Sequence, residues 1–265
     1  MKNDVLQQLS PDYPWKEHFH CFSTLDSTND RLRAMARQGA PEGTVLLAEH
    51  QTGGRGRRGR SFHSPPGSGI YLSVLLRPRC GPSELMHLTC AAAVAMCDAV
   101  ERSAGFRPGI KWTNDLVFGK RKLGGILTEL GFTPKGELDH AIVGIGINCC
   151  QQPEDFPQEL RGIAGSLAMV TGKSVDRSRV ASAMLEALAE MSGQLLSGRE
   201  DMLTRYRADC ITIGQEISLV RGQEVRHGKA LDVDDQGALV VAFPGGRVEA
   251  VSSGEVSVRG MYGYV

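Results

Sequence analysis

The chain changes texture once, and that change limits what it can fold into. Up to about Ile213, segments with apolar residues at helical spacing are interspersed with continuous apolar runs of strand length. From Gly214 on, the apolar runs are short and lie between turns: QEISLV, GKALDVDDQGALVVAF, GRVEAVSSGEVSVR. Asp235-Gln-Gly and Pro244-Gly-Gly are hairpin signals in this part. The pattern predicts a first domain over residues 1–213, built of helices and strands. A small β-barrel module follows over residues 214–265, at the low end of independent domain size.

Within the first part, residues 27–39 (STNDRLRAMARQG) read as a short helix. Ser27 or Thr28 can cap it, Asp30 sits in its first turn and Gly39 closes it. Residues 44–49 (TVLLAE) and 69–78 (GIYLSVLLRP) read as strands, the second stopped by Pro78. Residues 84–101 place Leu85, Leu88, Ala92, Ala95, Met96 and Ala99 on a helical period. Residues 109–130 read as strands broken at Asn114-Asp115 and Gly119. Residues 140–150 (HAIVGIGINCC) read as a strand whose glycines leave one side open. Residues 178–196 form an amphipathic helix and residues 201–210 a shorter one. The N-terminus lacks a secretory apolar core, and no apolar run is long enough to span a bilayer.

After the run TVLLA the chain inserts QTGGRGRRGRSFHSPPG, with four arginines and five glycines. Glycines let backbone N–H groups approach an anion closely, and arginines add forked, permanently charged donors. The combination suits a loop that closes over a phosphate-bearing ligand. The same residues suit an exposed solubilising loop or a nucleic-acid patch of the RGG kind. The spacing is not that of a P-loop. Lys+Arg and Asp+Glu both number 30, so the positive charge is local, which favours a small anionic ligand over a long polyanion.

Lys122 lies just before a strand that opens with two glycines, where it can meet a ligand as a point charge; as part of Lys120-Arg121-Lys122 it also reads as a hairpin tip. Lys111 and Trp112 fit packing as well as a site, Asp115 fits a turn, and Ser27, Thr28 and Asn29 fit a helix cap or a polar ligand face. Gly144, Gly146 and Asn148 fit relief of crowding between strands. His63 has no nucleophile nearby in sequence, and no catalytic dyad is visible. Seven cysteines without paired spacing argue against a disulfide framework or a zinc site, and read as reduced, buried and cytoplasmic. Residue types alone lead to an anion-binding α/β enzyme and no further.

The order of segments goes further. STLDSTND, EHQTGGRGRRGRSFHSPPGSGIYLSV, KWTNDLVFGKRKLGGILTEL, VGIGINC and a terminal β-module ending SGEVSVR together resemble the biotin–protein ligases, over nearly the whole chain from Phe22. The resemblance implies an α+β fold: a mixed β-sheet flanked by helices, class II synthetase-like, followed by a small SH3-like β-barrel. It implies activation of biotin by ATP to biotinyl-5′-AMP, with Mg2+, and transfer to one lysine of a biotin carboxyl carrier protein. Lys122 and Arg57 are implied as catalytic. Ser27, Thr28, Asn29, Gln51, Gly54, Arg55, Gly56 and Gly125 are implied to line the biotin and adenylate site. Phe62, standing where many relatives have tryptophan, Lys111 and Asn148 are implied on the ATP and adenine side, and Asp115 as a candidate metal ligand. The arginine loop is expected to order over the adenylate. Only about twenty residues precede the FSTLDSTND segment, too few for a helix-turn-helix, so a monofunctional form that binds no specific DNA and no membrane is expected. Relatives that dimerise through the sheet make a homodimer possible. The rivals are a lipoate–protein ligase and a nucleic-acid-binding protein.

Overall fold

The computed structural model describes residues 1–252 and 257–259. The last part of the expected β-module, including Ser253 to Val256 of SGEVSVR, lies outside the described residues. The element order is α1 (Lys2–Gln8), β1 (Phe19–Phe22), α2 (Thr28–Arg37), β2 (Val45–Ala48), β3 (Gly69–Leu76), α3 (Leu88–Ala104), β4 (Gly109–Lys111), β5 (Asp115–Phe118), β6 (Arg121–Phe132) and β7 (Leu138–Asn148). There follow α4 (Leu167–Thr171), α5 (Arg177–Gln194), α6 (Arg199–Asp209), β8 (Glu216–Arg221), β9 (Glu224–Val233), β10 (Leu239–Ala242), β11 (Val248–Val251) and β12 (Ser257–Arg259).

The first sheet has seven strands in the order β1-β2-β3-β7-β6-β5-β4. It is mixed: β1 and β2 run parallel, and the other neighbours run antiparallel. All eight residues of β3 are buried, as befits a strand covered on both faces. On one face, Leu32 and Ala36 of α2 pack on Leu46, Leu75 and Ile142. On the other lie α3, α5 and α6. Eleven residues of α3 are buried, so this helix is apolar nearly all round because it is core nearly all round. With the turn before it, Pro82–Ala104 is in fact long and apolar enough to cross a membrane, which corrects the sequence reading; 72% of its most apolar stretch is buried inside the protein. The α-helix proper starts at Leu88, after a 3-10 turn, and Gly105 closes it in the left-handed conformation at φ 77°.

Helix α1 has no counterpart in the sequence reading; it is short, with Val5 buried and Leu6 partly buried against the core. It packs on α5, and nearby the ring of Trp15 lies where a Cβ on Gly43 would sit 2.0 Å away. The second sheet is antiparallel, β11-β10-β9-β8-β12. It is joined to the first by Trp112, whose backbone N–H donates to Thr212 Oγ1 (2.9 Å) and whose indole donates to Gly237 O (3.0 Å). All seven cysteines are free; Cys21, Cys80 and Cys150 are half-buried rather than core. Burial pushes the Cys90 thiol up to about 12.

Candidate active site

Two adjoining cavities open at the end of the first sheet where α2, the arginine loop and the start of β6 meet. The first, a tight cleft of about 50 Å3, is lined by Ser27, Thr28, Asn29, Gln51, Arg55, Gly56, Arg57, Phe62, Asn114, Lys122 and Gly125, with Gly144 and Gly146 also in its wall. The second is lined by Phe62, His63, Asp115, Lys122, Asn148 and Phe156 among others. Phe62 and Lys122 belong to both. Fourteen positions were expected at the site, and twelve of them line one cavity or the other.

Two do not. Lys111 is buried on β4, opposite Asp115 in the β4–β5 ladder, and lines neither cavity. Gly54 lines neither cavity; a Cβ there would stand 2.5 Å from Phe62 O and 2.6 Å from Ser64 Oγ, so it serves the close return of the loop.

Ser27 caps α2, its Oγ accepting from Asp30 N, and this turn presents Thr28 and Asn29 to the sheet. Gln51 Oε1 accepts from Thr28 N (2.9 Å) and lies 3.1 Å from Thr28 Oγ1. Ser73, absent from the sequence reading, is fully buried, with its Oγ 2.7 Å from Thr28 Oγ1 and 2.6 Å from Asn29 Oδ1. Gln51 Oε1 and Asn29 Oδ1 only accept, so Thr28 donates its hydroxyl proton to Gln51, while the Ser73 proton is shared between Asn29 Oδ1 and Thr28 Oγ1. The Thr28 oxygen is left with lone-pair capacity toward the cavity, suited to a ligand N–H. Asn29 donates to Leu127 O (3.3 Å) and Glu129 Oε2 (2.8 Å).

The β7 glycines do more than relieve strand crowding. A Cβ at Gly144 would stand 2.0 Å from Asn29 Oδ1, and one at Gly146 would stand 2.4 Å from the Phe62 ring. They let two site side chains lie directly on the sheet.

Lys122 reaches the site through a register shift. Leu116 pairs with Gly124 but Val117 pairs with Lys122, so Leu123 is the extra residue of a β-bulge. In a regular strand residues 122 and 125 would face opposite sides; the bulge turns Lys122 to the side of Gly125. A Cβ on Gly125 would be 3.2 Å from Lys122 Nζ, so the glycine makes room for the amine. Lys122 Nζ pairs with Asp115 Oδ1 at 2.5 Å. The Lys122 backbone is tied to Ile163 and Gly165 (2.7 and 2.9 Å), which removes it from a free hairpin tip.

The arginine loop folds down over the first cavity. Its root is stitched by Thr52 N to Leu25 O and Gly53 N to Asp26 O, and its tip closes as a small hairpin through Gly56 N to Arg60 O. Among the described residues Arg58, at φ 58°, is the one non-glycine with positive φ. Arg57 Nη1 donates to Asn114 Oδ1 (2.9 Å), and Asn114 in turn donates to Ile126 O (2.9 Å), so a residue read as a turn signal positions the loop. Burial lowers the Arg57 guanidinium from its ordinary value, and the Asp115 carboxylate opposes that shift. Arg55 Nη1 pairs with Asp30 (2.5 Å) and its Nη2 with Glu129 (3.1 Å). Asn148 donates to Gly165 O (3.0 Å) and accepts from Gln151 (3.3 Å). His63 meets a backbone carbonyl, that of Asp155 (3.2 Å). Among the described residues no three His, Cys, Asp or Glu side chains cluster to hold a metal.

Residues 21–148 match the Biotin/lipoate A/B protein ligase family, and residues 212–259 match the Biotin protein ligase C terminal domain. The chain is 37% identical over 237 residues to the biotin–[acetyl-CoA-carboxylase] ligase of Mycobacterium tuberculosis, covering 87% of this chain and 85% of that one. It is 35% identical over 226 residues to the bifunctional ligase/repressor BirA of Bacillus subtilis, covering 85% and 69%. The structure of Aquifex aeolicus biotin protein ligase in complex with biotin and ATP superposes with a TM-score of 0.78 at 30% identity, covering 92% of this chain and 99% of that one.

Proposed function

Because the chain belongs to the biotin protein ligases, we propose that its two joined cavities hold biotin and ATP, with Lys122 and Arg57 at their junction. The enzyme is a ligase that converts biotin and ATP to biotinyl-5′-AMP and pyrophosphate, then passes the biotinyl group to a protein lysine. The acceptor we propose is the lysine of a biotin carboxyl carrier domain. Residues 1–213 are read as the catalytic unit and residues 214–265 as its β-module.

One observation supports this reading above the rest: Lys122 and Phe62 are shared by both cavities. In the first step a biotin carboxylate oxygen attacks the α-phosphorus and pyrophosphate leaves. Two anions must meet, and like charges ~4 Å apart repel by about 1 kcal/mol in water and by more at lower dielectric. An ammonium and a guanidinium beside the meeting point offset that repulsion and stabilise the charge that develops. The carboxylate is already ionised at neutral pH, so no general base is required. In the second step the lysine amine attacks the acyl carbon of the mixed anhydride and AMP departs, the amine losing its proton. Water would consume the anhydride, so a loop folded over the cavity has a protective role.

Ser27, Thr28, Asn29 and Gln51 offer hydroxyl and amide groups for the ureido ring, and Phe62 with Asn148 suits the adenine. Mg2+ commonly arrives on nucleotide phosphates and asks one or two carboxylates of a protein. Asp115 fits that demand, and the ion would add positive charge at the phosphates.

The test is biotin-dependent ATP–pyrophosphate exchange. Lys122→Ala and Arg57→Ala are each expected to lower it by about 100-fold or more, the scale of losing one preorganised charge-stabilising group. Exchange that ignored biotin, or that survived both substitutions, would remove the assignment.

A further inference from the structure

Arg55 lines the first cavity, and behind it stand three charges that do not line it, Asp30, Arg33 and Glu129; none of the four has a part in the chemistry above. Arg33 Nη1 lies 2.9 Å from Asp30 Oδ1 and its Nη2 lies 2.5 Å from Glu129 Oε1. Arg55 touches the same two oxygens, at 2.5 and 3.1 Å. Each guanidinium therefore bridges both carboxylates, and the four groups alternate in sign with no net charge. Three members sit on regular structure: Asp30 and Arg33 one turn apart on α2, and Glu129 on β6 with its other oxygen held by Asn29. The fourth, Arg55, sits on the loop.

We propose that Asp30, Arg33 and Glu129 form a latch that holds the glycine-rich loop closed over the cavity through Arg55. Arg55 is then a positioning residue, and Arg57 is the other loop arginine in the lining of the first cavity, placed to serve the reacting anions. The proposal rests on the adenylating reading of the site. An arginine faced by two carboxylates has its charge neutralised before any phosphate arrives, which suits an anchor better than an anion receptor. Isolated exposed ion pairs contribute little, but a network in which every charge is shared is the exception. Side-chain exposures of 21–39% keep the four groups near solvent, so the latch can open and reclose. The loop hinges about a root fixed by backbone hydrogen bonds, and a hold at Arg55 restrains the whole hairpin beyond it.

Limited trypsin digestion tests the latch without reference to activity, because the loop carries four arginine cleavage sites. In the variant Asp30→Asn/Glu129→Gln, cutting within residues 55–60 is expected to run about tenfold faster than in the wild type, the scale of one lost favourable network. Biotinyl-5′-AMP formed on that variant is expected to hydrolyse about tenfold faster before carrier is added, from the same loss of closure. Adding Arg55→Ala removes one of the four sites, and cutting after Arg57, Arg58 and Arg60 should then run no faster than in the double variant. A loop cut no faster than in the wild type, in a variant with unchanged circular dichroism, overturns the latch, as does an additive effect of Arg55→Ala. If the double variant loses its fold, Asp30→Asn alone at its half-buried helix position carries the same test. If the wild type makes no adenylate, the adenylating reading fails, while the digestion still decides the latch.

Discussion

At the scale of single residues, the β7 glycines separate the two halves of the site. Alanine at Gly144 would drive its Cβ into Asn29, and alanine at Gly146 would drive its Cβ into the Phe62 ring. Gly144→Ala is therefore expected to weaken biotin binding by about tenfold while leaving nucleotide binding less changed; Gly146→Ala should do the reverse. Isothermal titration of each ligand against each variant measures this, and equal losses for both ligands in both variants would contradict the assignment of the cavities. Few of these contacts are legible in the sequence. Ser27, Thr28, Gln51 and Arg57 lie in motifs that point to them, whereas Ser73 sits in a strand of apolar neighbours and looks like any buried hydroxyl. Glu129 had a signal that went unread: a carboxylate inside GGILTEL, a run otherwise built for a covered sheet.

At the scale of elements, caps and a bulge decide where the chemistry points. Asp176 caps α5, accepting from Ser178 N (2.9 Å) and Arg179 N (3.3 Å), and α5 covers the face of the sheet opposite the site. Asp176→Ala is expected to cost about 1 kcal/mol of stability at neutral pH, the usual worth of such a cap. Hydrogen bonds, first from Ser178, hold the Asp176 carboxyl below the usual aspartate value. A lowered folded-state pKa gives stability that is present above the ordinary aspartate range and lost as pH falls through the folded value. The gap between wild type and variant in urea unfolding should therefore narrow below the ordinary aspartate range, and a constant gap down to strong acid would contradict it. The β5–β6 bulge is the other decisive element. The sequence shows the two glycines after Lys122, but not that one extra residue swings the lysine to the site face.

At the scale of the molecule, the two sheets meet through Trp112. Its indole N–H donates to Gly237 O in the β9–β10 turn, and two residues further along the chain Asn114 holds Arg57. Trp112→Phe removes the donor and leaves a buried carbonyl without its partner, at an expected cost of about 1–3 kcal/mol. Urea unfolding reads the loss. Faster hydrogen exchange at Leu239 to Ala242 in this variant would place it at the junction, and unchanged exchange there would exclude a coupling role for Trp112. Arg207 reinforces the same junction from α6, donating to Val233 O and pairing with Asp235.

The sequence by itself determined the two-part order of the chain, the strands and helices with clear periods, and the identity of most site residues. These follow from local properties: side-chain period, cap chemistry, and glycine and arginine content. Tertiary structure alone decided which of those residues share a cavity. It placed Lys111 on β4 beside Asp115, turned Lys122 inward by a register shift, and brought Asp30 and Glu129, 99 positions apart, onto one loop arginine. Strand order and register arise from packing between distant segments, and no local pattern carries that information.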